Sequence, residues 1–293
     1  MRLLDTPSYV LAEGPVWDPA AGRLTWVDID DGRVLSAALT AEGELGDIAT
    51  RHVGGQVGVA IPITAGRHLV SLEAWIGILG ADGSIDKSRA LIPTNRRFND
   101  GKIDPQGRFV VGSIRRFGGV DGRQHLLRLE HDGAVTVIDD ALNMSNGMGW
   151  SPDGAWFYHV ESHDRLVYRR SYTGGEAGPR EVFLRVEGLP DGMTVDREGR
   201  LWVTLLDRCR VDCFAPDGTR LADRTIDLGT AHPASVEFAG PDLGVLVITT
   251  GFPWLDGDVG VTRDSGDGRL LVTRLPGVSG IAPTPWREAP LPR

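Results

Sequence analysis

The sequence predicts an all-β fold: a six-bladed β-propeller, four strands to a blade around a central channel, forming one domain over residues 1–293. Three observations carry this. A turn with a glycine and a β-rich run after it recurs six times, starting at Asp18, Ile63, Asp104, Ser151, Asp196 and Gly240. Five residues before these turns stand Glu13, Gly58, Asn99, Asn146, Asp191 and Ser235, at separations of 45, 41, 47, 45 and 44 residues. A period of about 40–50 residues with several short strands per unit is the mark of propeller blades. Finally, no long, capped stretch of 3.6-residue periodicity occurs, so little helix is expected.

The first repeat shows how a blade is written. Its strands are read as 13–17, 23–29, 33–39 and about 47–53. The first strand of each blade lines the channel and the fourth forms the rim, which puts all six marked positions around one end of the channel. The sixth repeat lacks a clear fourth strand. Either residues 1–11 or the tail to Arg293 is expected to supply it, which removes a free sheet edge.

Composition narrows the function. The formal net charge is −9, against the basic face that nucleic acid requires. No apolar run is long enough to span a bilayer. The N-terminal stretch has neither the apolar centre nor the cleavage site of a signal peptide, so a soluble cytoplasmic protein is expected, monomeric or a small homo-oligomer. Cys209 and Cys213 have no second pair or neighbouring histidine to complete a zinc site. There is no Gly-x-Ser-x-Gly elbow for a serine hydrolase and no phosphate-cradling glycine loop. Of the seven histidines, His125 and His163 lie nearest the ring-end loops.

The six marked positions read Glu, Gly, Asn, Asn, Asp, Ser. Asx-Gly pairs often do no more than begin turns. Four oxygen-bearing side chains in register on separate blades are another matter: two carboxylates and two amide oxygens at one channel mouth make a site for a hard divalent cation. Unpaired carboxylates there would be costly to bury, and a cation offsets that cost.

Four segments, at 12–17, 97–105, 145–154 and 190–196, resemble the senescence-marker-protein/gluconolactonase/luciferin-regenerating family, the regucalcin-like sugar lactonases. The resemblance runs from about Leu11 to Gly277. It implies one divalent metal cation at the channel mouth, with Ca²⁺, Zn²⁺, Mn²⁺, Mg²⁺ and Fe²⁺ all open. It implies Glu13, Asn146 and Asp191 as metal ligands, and Asp191 also as the general acid or base. Arg97 and Asn99 match residues that contact the sugar lactone, and Asp100 beside them is counted with the substrate set.

The chain departs from that pattern in one place. The loop at 114–125, joining strands two and three of the third blade, has no glutamate where regucalcin-like members bring one to the substrate. It carries Arg115, Arg116 and Arg123 instead, and Arg208 stands on the matching loop of the fifth blade. Arginine suits bidentate recognition of a carboxylate, so these residues either select an acidic lactone or are surface charges. Two other functions use the same ring: phosphotriester hydrolysis, and calcium binding without catalysis. Arg97 and Asn99 beside Asp191 favour an enzyme, since calcium binding alone has no need of the arginine.

Overall fold

The computed structural model of the chain describes residues 1–116, 121–251 and 267–293. Six antiparallel sheets form the ring of blades. The innermost strands are Ala12–Asp18, Val57–Pro62, Arg96–Ile103, Ser145–Trp150, Pro190–Val195 and Pro233–Ala239, and each packs against the next around the channel, the sixth against the first. The first blade continues through Arg23–Asp28, Arg33–Ala38 and Ala49–His52, close to the strands read from its sequence. Among the described residues, helix is confined to three short 3₁₀ turns, and no helix is long and apolar enough to cross a membrane.

The second strands are mostly apolar and buried, as in Leu201–Leu205, each broken by one internal polar residue such as Thr204. The pattern is continuous rather than alternating because both faces of a blade are covered by neighbours. The core is accordingly divided. Six buried apolar clusters occupy the six seams, for example Val59, Leu69 and Ile76 of the second blade against Phe98, Phe109 and Val111 of the third. Among the described residues no cluster fills the axis, which leaves the channel.

The sixth blade is completed from the N-terminus. Arg2–Leu3 pairs antiparallel with Leu271 and Val272 of Leu270–Arg274, so the first residues latch onto the last blade. The C-terminal segment takes no strand position. It crosses the end of the channel opposite the marked positions: Gly280 N–H donates to Leu243 O at 2.9 Å, Trp286 is buried among third-blade residues, and Arg293 pairs with Asp86 of the second blade at 2.8 Å.

Two of the repeat turns carry a fully buried aspartate. Asp196 accepts the Glu198 and Arg200 backbone N–H groups at 3.0 and 2.9 Å, the Arg200 guanidinium at 2.6 Å and the Trp202 indole N–H at 2.9 Å. Asp104 does the same for Gln106, Arg108 and the Tyr172 hydroxyl. Truncating such a carboxylate strands several donors at once. Asp196→Ala is expected to cost about 3–5 kcal/mol, read as a lower midpoint in urea with the slope unchanged.

Candidate active site

The innermost strands share an irregularity that explains the marked positions. In every one the pairing with the second strand slips near its start: between Glu13 and Val16, Val57 and Val59, Phe98 and Gly101, Ser145 and Met148, Pro190 and Met193, and Pro233 and Ser235. Such bulges bend the strand and re-aim a side chain. Here they gather Glu13, Asn99, Asp100, Asn146 and Asp191 at one end of the channel. In the sixth blade the slip falls at Ala234, so Ser235 is already back in register opposite Thr249.

The glycines show how closely the strands meet. A Cβ on Gly147 would lie 2.4 Å from Met193 N and 2.7 Å from Asp191 O, and one on Gly192 would lie 2.2 Å from Ser235 Oγ. A side chain at either position would push neighbouring blades apart at the ring.

The polar groups form a connected set. Arg97 donates to Asn99 Oδ1 at 2.7 Å and to Phe98 O at 3.0 Å. Asn99 Nδ2 donates to Ser145 O at 3.0 Å and to Asn146 Oδ1. Asn146 Nδ2 in turn donates to Ser162 Oγ at 2.7 Å, and Gly14 N–H donates to Glu13 Oε2 at 2.8 Å. Both amides are therefore held in one orientation, with Asn146 presenting its oxygen to Asn99.

Glu13, Arg97, Asn99, Asp100 and Asn146 are all buried, while Asp191 keeps a partly solvent-facing edge. Burial dominates the electrostatics. It raises Glu13 well above the usual carboxylate range, helped by the charges of Asp100 and Asp191. It raises Asp191 in the same way, with Asp100 adding to the rise and Arg97 opposing it. Asp100 is pushed up to about 6 by burial, against the pull of Lys102 and Arg97. Arg97 faces Asp30, Glu13, Asp100 and Asp191, while its own burial lowers it.

One guanidinium thus stands against an excess of carboxylates, and the donor set is oxygen. That fits a hard divalent cation: the charge that burial resists is the charge a cation would offset. Glu13 would use the oxygen that Gly14 leaves free, and Asn146 and Asp191 would contribute the other protein oxygens. Asp100 belongs to the same electrostatic group, since its charge acts on both Glu13 and Asp191.

Sequence reasoning missed the supports beneath the ring. Ser162 holds Asn146. Ser145 Oγ and His159 Nε2 share a hydrogen bond at 2.7 Å, and burial drives His159 down to about 3, so the ring is neutral. The Thr204 hydroxyl lies 3.0 Å from both Gly192 O and Ala234 O. Ser71 accepts Val59 N–H at 3.0 Å and Thr249 accepts Ser235 N–H at 3.1 Å. The available signal was a polar residue interrupting the apolar second strand of several blades.

The arginines of the departing loop are partly engaged. Arg116 pairs with Glu73 at 3.2 Å, Arg208 donates to Glu187 O at 2.9 Å, and Arg123 is exposed. Residues 117–120 of that loop lie outside the described residues. His163 is exposed beside Asp164, and His125 is half-buried with its backbone N–H on Ser113.

Comparison with known proteins follows the same lines. Residues 11–252 match the SMP-30/Gluconolactonase/LRE-like region. A pentonolactonase of Haloferax volcanii is 36% identical over 284 residues, covering 94% of this chain and 93% of the relative. A 6-deoxy-6-sulfogluconolactonase of Pseudomonas putida is 34% identical over 249 residues, covering 82% and 83%. The solved structure of a luciferin-regenerating enzyme superposes with a TM-score of 0.87 at 27% identity, covering 96% of each chain.

Proposed function

The chain belongs to the SMP-30/gluconolactonase/LRE-like family, and we propose from this that it is a metal-dependent sugar lactonase, hydrolysing the internal ester of an aldonolactone. One observation carries the reading. Glu13, Asp100 and Asp191 act on a single guanidinium beside the linked amides of Asn99 and Asn146, in a chain similar over most of its length to relatives named as lactonases.

Hydrolysis of a lactone adds water to the carbonyl carbon and breaks the bond to the ring oxygen. A bound divalent cation supplies Lewis-acid polarisation of the carbonyl oxygen. In this proposal Glu13, Asn146 and Asp191 hold that cation. Asp191 also takes the proton from the attacking water and returns it to the ring oxygen as that becomes a hydroxyl, so no net proton is consumed in the step. Its environment suits the task, since burial raises its proton affinity and Arg97 restrains the rise. Arg97 and Asn99 position the sugar hydroxyls. Both donor hydrogens of the Asn99 amide are in use, so its remaining role toward a sugar is as an acceptor through Oδ1. Arg116 is paired with Glu73, while Arg123 and Arg208 are exposed surface charges, so the proposed substrate is a neutral aldonolactone.

Acid release from a panel of aldonolactones tests the reading. Wild type is expected to turn over a gluconolactone or a pentonolactone. Asn99→Ala is expected to raise KM by roughly tenfold, the value of one lost hydrogen bond, with a smaller change in kcat. Absence of turnover on every lactone with every divalent cation would reject the proposal.

A further inference from the structure

The far end of the channel holds a cavity that lactone chemistry does not use. Its wall includes Val16, Ile61, Lys102, Gly149, Thr194 and Glu237, one residue from the far part of each innermost strand, with Trp17 and Trp150 beside them. Ile281–Thr284 of the C-terminal segment line its mouth. The cavity is about 270 Å³, whereas an apolar cavity of about 150 Å³ already admits benzene. A flat molecule of one or two rings therefore fits.

The polar side of this cavity holds the Lys102 ammonium and two carboxylates, Glu237 and Asp153, the latter accepting the Ser151 hydroxyl and the Ala155 N–H. Glu237 Oε1 accepts the Thr194 hydroxyl at 2.7 Å and the Phe238 N–H at 2.9 Å, and Oε2 lies 2.6 Å from Lys102 Nζ. The carboxylate is satisfied on both oxygens. An ammonium carries three donors, and Lys102 directs one of them to Glu237. Its side chain remains 31% exposed. The indole N–H of Trp150, in the same wall, is buried with no acceptor among the described residues. Charge then decides between an anionic and a neutral oxygen. Lys102 already stands between Glu237 and the Asp100 charge further up the channel, and Asp153 lines the same wall, so an anion entering the cavity would meet three carboxylates for one ammonium.

We propose that the far channel mouth is a second binding site, for a neutral, flat, mostly apolar molecule of one or two rings that directs a carbonyl or hydroxyl oxygen at Lys102. The site is separate from the ring of Glu13 and Asp191, and it stands whether or not the lactonase reading holds.

The test is calorimetric titration of the full chain with 2-naphthol, and with 2-naphthoate as the anionic counterpart. Wild type and Asp191→Asn should bind one 2-naphthol alike, and excess aldonolactone should not displace it. Ala282→Trp, a change at an exposed position of the mouth, should weaken binding more than tenfold. Lys102→Met should weaken it by roughly tenfold, and 2-naphthoate should bind less well than 2-naphthol. Circular dichroism melts establish that each variant is folded. No saturable heat, equal affinity in Ala282→Trp, or displacement by the lactone would overturn the site. Unchanged affinity in Lys102→Met, or tighter binding of the naphthoate, would overturn the assigned ligand class.

Discussion

Metal-loaded Asp191→Asn is expected to hydrolyse aldonolactones about 10²–10⁴-fold more slowly than wild type, the usual value of general-base assistance. The substitution keeps the shape of the side chain and one oxygen that can face a cation, but it cannot take up a proton. The loss should fall on kcat, with KM little changed, because Arg97 and Asn99, the residues proposed to hold the sugar, are left intact. Asp191 sits directly after the start of its innermost strand, in the slip between Pro190 and Met193, where an amide of equal size meets no new neighbour. Melting should therefore stay within about 1 kcal/mol of wild type, as for substitutions away from packed cores. Wild-type-like turnover by the metal-loaded variant would remove Asp191 from proton transfer.

Gly147→Ala is expected to lower activity by about 10²-fold through geometry alone, the effect of a misplacement near 1 Å. The added Cβ would contact Met193 N at 2.4 Å and Asp191 O at 2.7 Å. These are backbone atoms of the adjoining innermost strand, so relief requires the fourth and fifth blades to separate where Asn146 and Asp191 must converge. Overpacking of this kind also costs about 1–3 kcal/mol. Gly22→Ala is the control. Gly22 has φ +63, and a methyl group added there would meet nothing within 4 Å, in a turn at the far end of the first innermost strand. It should lose about 1–2 kcal/mol from left-handed strain and retain full activity. Equal kinetics in the two variants would show that the seam at Gly147 does not position the site.

What the sequence revealed and what it concealed both have physical causes. Glu13, Asn99, Asn146 and Asp191 were legible because four of the repeats place a carboxylate or amide side chain five residues before the turn, in or beside the strand's slip. In the sixth repeat the slip falls at Ala234 and Ser235 is paired with Thr249, a displacement that the turn spacing does not reveal. The latch was harder to see. Arg2–Leu3 is two residues long, too short for a period of two to show, and it pairs with a strand at the other end of the chain. The segment across the far channel mouth is irregular and proline-rich, held by contacts such as Arg287 N–H to Gly107 O at 2.9 Å, which leave no pattern in its own sequence. His159 resembles an ordinary interruption of an apolar strand, and Ser162 an ordinary turn residue after it, until the ring above them is in view. The arginines were visible as a cluster, but their acceptors Glu73 and Glu187 lie on other loops.

The most direct test of the central claim is aldonolactone turnover by chelator-stripped protein as Ca²⁺, Mg²⁺, Mn²⁺, Zn²⁺ and Fe²⁺ are returned singly, with the melting temperature followed in the same samples. The account predicts that stripping abolishes turnover and that at least one cation restores it at one equivalent. The same cation should raise stability by about 2.7 kcal/mol at a hundredfold excess over its Kd, in wild type and not in Asp191→Ala. Full turnover by the stripped protein, or the same metal-induced rise in Asp191→Ala, would contradict it.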